Sequence, residues 1–208
     1  RGSGCRPGSG STRWHRWTDF VGDLLVDGRV VISVVTLTLF AVGHLMFRST
    51  SAGFASASSI DAAGVVLIAA GVGWRSWAAG YLRQGCDLTT KGPYSLCRHP
   101  LYVGSLLMFV GFAVVLHWWN YLPSVALLLT LVYGATVLRE ERRLEQKFGP
   151  RWRTYAAATP RFIPWRFSRY VAGIWDVRQW IRSREYRAAA VAGFTTCAWF
   201  AARLTLGF

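Results

Sequence analysis

Five stretches of this 208-residue chain are apolar over about the 20 residues that carry a helix across a bilayer, and charge is largely kept out of them. They span 30–47, 60–82, 101–118, 121–138 and 188–206. Arg75 interrupts the second, and the fifth is the weakest because it holds Thr195, Thr196 and Arg203. Inside hydrocarbon no water satisfies the backbone, so such blocks cross as helices. The expected fold is all-α. It is a multi-span helical membrane protein with four core transmembrane helices, a fifth C-terminal span and interfacial amphipathic helices. The first block is read as a span rather than a signal peptide, because its apolar run is too long and nearly thirty residues precede it.

The charges sort between the blocks. The net charge of +14 would suit a nucleic-acid binder, but only if the basic residues formed one patch. Instead they crowd before the first block, between the second and third (Arg83, Lys91, Arg98), and across 139–187. Arg48 alone lies between the first and second, and "WWN" between the third and fourth carries none. This alternation follows the positive-inside rule. It predicts a cytoplasmic N-terminus, a cytoplasmic polar segment after the second span, and an antiparallel hairpin of the third and fourth spans. The bilayer is the expected partner, and nucleic acid is not.

By composition, 1–13 reads as a disordered glycine- and serine-rich tail. Residues 14–82 hold an interfacial helix and two spans, 83–164 a core with the third and fourth spans, and 165–208 a basic amphipathic helix and the fifth span. "WHRWTDFVGDLL" and "FSRYVAGIWDVRQWIRSREY" place aromatic and aliphatic residues at helical spacing among arginines. Such helices lie in the headgroup layer or pack on the bundle. The four cysteines form no C-x-x-C pair, so no metal site is expected, and Cys97 reads as a small filler.

The third span opens on "GPYSLCRHPLYVG", residues 92–104. Gly92-Pro93 and His99-Pro100 are turn and helix-start signals, since proline suits the first helical position. Arg98 and His99 therefore sit at a helix N-terminus, where free N–H groups favour an anion. Tyr102 and Gly104 follow on the first turn, and Gly104 lets a backbone or a ligand come close. Glu140 and Glu141 end the fourth span in "LREERRLEQKFG". In a hairpin both groups reach the same depth, giving an anion-binding and a cation-binding half that suit a zwitterionic amino-acid group.

Each residue also has a plainer reading. Arg98 can be a positive-inside anchor, His99 a cap, Tyr102 an interfacial belt residue, and the glutamates partners of arginines one turn away. Their coincidence at one depth favours a site. Arg75 either snorkels or lines that site, and snorkelling is favoured.

"DLTTKGPYSLCRHPLYVG", followed by "REERRLEQKFGPRWRTYAAATPRFIP", resembles the isoprenylcysteine carboxyl methyltransferase and phospholipid methyltransferase superfamily over 79–164. The shared positions are Gly92, Pro93, Tyr94, Arg98, His99, Pro100, Tyr102 and Gly104, then Glu140, Glu141, Leu144, Phe148, Gly149, Trp152, Tyr155, Arg161, Phe162 and Pro164. The resemblance implies an integral membrane methyltransferase using S-adenosylmethionine, with S-adenosylhomocysteine as product. It implies cofactor contacts from Gly92, Pro93, Tyr94, His99, Pro100, Tyr102, Gly104, Glu140 and Glu141. Arg98, Glu141 and Arg161 are the candidate catalytic residues, the arginines for substrate or the cofactor carboxylate and Glu141 as a possible base. The acceptor would be a membrane lipid or lipidated molecule presenting a carboxylate, amine or thiol. Isoprenylcysteine enzymes often carry histidine where this chain has Cys86, which counts against a literal isoprenylcysteine substrate. The alternatives are an NADPH-dependent membrane sterol reductase of related pattern and a non-catalytic scaffold.

Overall fold

The computed structural model describes residues 58–82, 87–118, 122–163 and 171–206. The expected first span, the interfacial helix after Trp14, the N-terminal tail, Cys86 and Pro164 lie outside the described residues. Those that are described belong to one of the two units into which the chain divides, Phe54–Phe208.

Every regular element among the described residues is an α-helix. They are α1 (Ser58–Tyr81), α2 (Pro93–Leu96), α3 (Pro100–Val115), α4 (Leu122–Phe148), α5 (Pro150–Ala158), α6 (Val177–Arg182) and α7 (Glu185–Leu206). Proline opens α2, α3 and α5, where its missing N–H costs nothing. Among the described residues one helix is long and apolar enough to cross a bilayer, α1 over Ser59–Tyr81. The apolar α3 has 16 residues, about 24 Å of rise, and so falls short of the 101–118 span expected for it. It stops because His117 turns to φ 53° and its ring reaches back to Asp61 of α1. By contrast α4 runs on past the apolar block, carrying Glu140, Glu141 and the charges to Phe148 on one continuous helix.

Glycines set how α1 and α3 meet. A Cβ on Gly64 would lie 2.9 Å from the Gly111 carbonyl oxygen, and one on Gly71 would lie 2.6 Å from that of Gly104. The pairing of 64 with 111 and 71 with 104 makes the helices antiparallel, with small residues seven apart on each. Close approach through small residues is how helices associate where lipid supplies no hydrophobic drive. Gly104→Ala would place a methyl 2.8 Å from the Gly71 carbonyl oxygen and 2.6 Å from Arg75 Cγ. It is expected to cost about 1–3 kcal/mol by overpacking. Gly73→Ala, with nothing within 4 Å of its Cβ, is the control and should not lower the melting temperature in detergent.

Helix α7 runs antiparallel to α1 and is tied to both of its ends. Glu185 accepts from Arg75 Nε at 2.9 Å and Nη2 at 2.7 Å. At the other end, Asp61 is buried between His117 Nε2 at 2.9 Å and the Arg203 guanidinium. The snorkelling expected of Arg75 is thus corrected: it turns inward, also donating to the Leu101 carbonyl and the Ser105 hydroxyl. Its carboxylate partner lies 110 residues away in sequence.

The amphipathic helix expected across 167–186 is corrected over 171–176, while 167–170 lie outside the described residues. Residues 171–176 are not helical, and α6 begins only after Asp176, which caps it by accepting from Arg178 N–H at 2.8 Å. The preceding backbone has partners elsewhere: Asp176 N–H donates to the Gly80 carbonyl and Tyr81 hydroxyl to the Gly173 carbonyl.

Candidate functional site

The N-terminal end of α3 and the charged part of α4 come together because the helices run in opposite directions. Tyr102 meets Glu140 and Tyr133, while Phe109, two turns further along α3, also meets Tyr133. His99 is the N-cap of α3, but its side chain makes no capping bond and is free for other work. The backbone there is held from outside: Arg98 N–H donates to the Pro160 carbonyl at 2.8 Å and His99 N–H to that of Arg161 at 3.1 Å. This two-rung contact sets the segment after α5 against the start of α3.

Glu141 is the centre of the resulting cluster. Its Oε1 accepts from Arg98 Nη1 at 2.8 Å and lies 3.3 Å from His99 Nε2. Arg161 grips both oxygens, Nε to Oε1 at 3.2 Å and Nη2 to Oε2 at 2.9 Å. Such a fork fixes geometry as well as charge. The carboxylate side chain is only 11% exposed, whereas that of Arg161 is 51% exposed and covers it from the outside. Burial pushes the Glu141 carboxyl up, but the hydrogen bonds from Arg161 and His99 and the charge of Arg98 outweigh it, so the carboxyl sits below its ordinary range. Burial also holds the His99 imidazole below its ordinary value despite Glu140 and Glu141 nearby. The His99 contact is therefore a hydrogen bond from neutral imidazole, with the proton on Nε2 and Nδ1 left as an acceptor.

The turn before α3 supplies the floor. Gly92 takes φ 62°, and a Cβ there would strike the Tyr81 ring at 2.7 Å, so the turn needs glycine. Pro93, Tyr94, Cys97 and Pro100 are buried. Tyr155 of α5 donates its hydroxyl to the Tyr94 carbonyl at 2.6 Å and keeps the turn in place. Burial pushes the Cys97 thiol up to about 12, only partly offset by the His99 backbone N–H. Native labelling with N-ethylmaleimide near pH 8 is accordingly expected to leave Cys97 unmodified, with modification appearing after denaturation, as read by peptide mass spectrometry.

Of the residues singled out by sequence, Arg98, His99, Glu141 and Arg161 meet directly. Tyr102 donates to Glu140 Oε2 at 3.1 Å beside them, and its ring lies 5.7 Å from that of His99. Gly104 stands apart from this group, since α1 fills the space next to it. The arginine partners expected one turn from Glu141 on its own helix are replaced by Arg98 and Arg161. Sequence reasoning gave no role to the Phe162 ring, 5.9 Å from His99, or to Tyr133. The one available signal for Tyr133 was its place seven residues before Glu140, on the same face of α4.

Two buried polar atoms at this site have no partner among the described residues, Arg98 Nε and the Tyr94 hydroxyl. Leaving such groups unpaired costs about 1–3 kcal/mol each, and a site that takes a polar ligand keeps donors of this kind. The site thus offers guanidinium donors for a carboxylate and the Glu140 and Glu141 oxygens for an ammonium group. This donor set fits the amino-acid end of S-adenosylmethionine.

Comparison with known proteins covers much of this region. The family model described as phospholipid methyltransferase matches residues 54–151. Over 138 residues the chain is 36% identical to the nickel-cobalt-cadmium resistance protein NccN of Alcaligenes xylosoxydans xylosoxydans, covering 65% of this chain and 62% of the relative. It is 42% identical over 98 residues to the cobalt-zinc-cadmium resistance protein CzcN of Cupriavidus metallidurans, covering 46% and 44%. A probable 7-dehydrocholesterol reductase of Acanthamoeba polyphaga mimivirus is 26% identical over 85 residues, covering 40% of this chain and 19% of the relative. The chain therefore spans less than two thirds of the curated relatives it matches. No solved structure matches it. Arg161, α6 and α7 lie beyond the segment matched by the family model.

Proposed function

We propose that the chain, whose residues 54–151 match the family model described as phospholipid methyltransferase, is an S-adenosylmethionine-dependent methyltransferase acting on a lipid-borne or hydrophobic acceptor at the membrane surface. The observation that carries this reading is the buried Glu141 carboxylate gathering Arg98, His99 and Arg161 at the start of an apolar helix. Arg98, Glu140, Glu141 and the 92–94 turn would hold the cofactor, which when bound supplies an electrophilic methyl group on sulfonium.

Displacement at such a methyl needs the acceptor atom in line, so the work of the protein is orientation. Arg161 is the exposed member of the cluster and can turn from Glu141 to an incoming carboxylate, which is already ionised and needs no base. An amine or thiol acceptor must lose a proton. Glu141 is a weak base for that, since its donors hold its carboxyl low. His99 Nδ1 is the better acceptor, because the ring is neutral and its Nε2–H is committed to Glu141. The further spans, with the site on the cytoplasmic side, belong to this same reading.

The reductase relative motivates the control. Calorimetric titration of the purified protein with S-adenosylhomocysteine and, separately, NADPH tests the proposal. Saturable binding of the first is expected. Binding of NADPH alone would favour the reductase, and binding of neither a scaffold.

A further inference from the structure

Residues 171–176 are pinned to the last turn of α1. Asp176 N–H donates to the Gly80 carbonyl at 3.0 Å, Trp175 Nε1–H to that of Ser76 at 3.2 Å, and Tyr81 hydroxyl to that of Gly173 at 3.0 Å. The Trp175 ring lies against Gly80 so closely that a Cβ there would come within 1.9 Å of Nε1. The same segment is tied to the turn that opens the site: Gly92 N–H donates to the Val171 carbonyl at 2.8 Å, and Val171 N–H to Ser95 Oγ at 3.0 Å. Its height is therefore fixed at the end of the apolar helix and beside the site.

The apolar side chains of this collar nevertheless face outward. Ile174 is 89% exposed, Ile163 69%, Ile181 54% and Val177 50%. On α6, Val177 and Ile181 form one stripe, and Arg178 and Arg182 form the next, about 100° around. Arg178, Arg182 and Arg187 are exposed, and among the described residues no carboxylate pairs with their side chains. Backbone held this firmly while aliphatic groups and arginines point outward together suits a boundary between hydrocarbon and anionic headgroups.

We propose that 171–187, with Ile163, is a docking collar for anionic phospholipids of the bilayer that α1 crosses, seating the mouth of the site in their headgroup layer. Ile163, Ile174, Val177 and Ile181 enter the acyl boundary, and Arg178, Arg182 and Arg187 hold lipid phosphates. This rests on α1 spanning the bilayer, so the test carries its own reference position.

The full chain, with its native cysteines replaced, is placed in nanodiscs of phosphatidylcholine and phosphatidylglycerol. A nitroxide is attached in turn at Ile174→Cys, Ile181→Cys and, as the reference in mid α1, Val66→Cys. Power saturation should show all three more accessible to oxygen than to a water-soluble nickel complex, with 66 the deepest. Spin-labelled phosphatidylglycerol should associate with the cysteine-replaced but otherwise wild-type chain severalfold more than spin-labelled phosphatidylcholine. R178Q/R182Q/R187Q should bring the two close to parity. Nickel access at 174 and 181 with 66 in hydrocarbon would overturn the collar and leave the span standing. Nickel access at 66 would overturn the proposal at its premise. Protection of 174 and 181 from both reagents would mean a protein partner or a second copy covers the face. Equal association of the two lipids before any arginine is replaced would overturn the anionic preference.

Discussion

Glu141→Gln should lower affinity for S-adenosylhomocysteine by at least about thirtyfold while the protein stays folded. The substitution keeps the shape and removes the one charge on which Arg98, Arg161 and His99 converge. In the proposed complex Glu141 also faces the cofactor ammonium group, and removing one partner from such a hydrogen-bonded charge pair costs about 2–5 kcal/mol of binding when the pair is buried. Here the lower end applies, because Arg161 is half exposed and water screens it. The pH dependence of the melting temperature is a second readout. His99 is held below its ordinary value of about 6.5, so its contribution is complete above that pH and declines as pH falls toward its folded value. Glu141 is likewise held low, so its contribution is present above the ordinary carboxylate value near 4.3 and declines as pH falls through its folded value. In Glu141→Gln the second decline should vanish. The first should deepen, because the carboxylate that raised the His99 value is gone. Calorimetry for affinity and thermal melts from about pH 2.5 to 8 check both, and unchanged affinity would remove Glu141 from the binding site.

Much of this cluster could be read from the chain because its parts are local signals. Pro93 and Pro100 marked two helix starts, and Glu140 and Glu141 marked the end of an apolar block; a hairpin then forces the ends together. What could not be read were contacts whose partners are distant in sequence and whose residue types have good local explanations. Arg75 looked like a snorkelling arginine because Glu185 is 110 residues away and no period links them. The hydrophobic spacing of 167–186 suggested one helix, yet 171–176 trades helical bonds for bonds to Gly80, Tyr81 and Gly92, a tertiary gain that no local propensity records. Gly104 is ambiguous for the same reason: glycine permits close approach without saying whether a ligand or a helix makes it.

The Arg75–Glu185 pair separates structure from function, and a double-mutant cycle shows how. Arg75→Met should destabilise the protein by about 3–5 kcal/mol, because it strands Glu185 in a site where the paired side chains are only 16% and 9% exposed. Glu185→Met should cost a similar amount by stranding Arg75. The double substitution R75M/E185M should be less damaging than either single one, since two apolar side chains replace two charges whose desolvation offset much of their attraction. Denaturant melts in detergent give the stabilities, and S-adenosylhomocysteine titration of the double variant gives the function. Arg75 also donates to the Leu101 carbonyl and the Ser105 hydroxyl on the same helix that starts at His99, so it is close enough to have lined the cofactor site. A pair that only fastens α7 to α1 leaves cofactor affinity intact once stability is restored. A stable double variant with lost affinity would move Arg75 from scaffold to site and make α7, which lies beyond the family-matched segment, part of what this chain adds to the binding pocket.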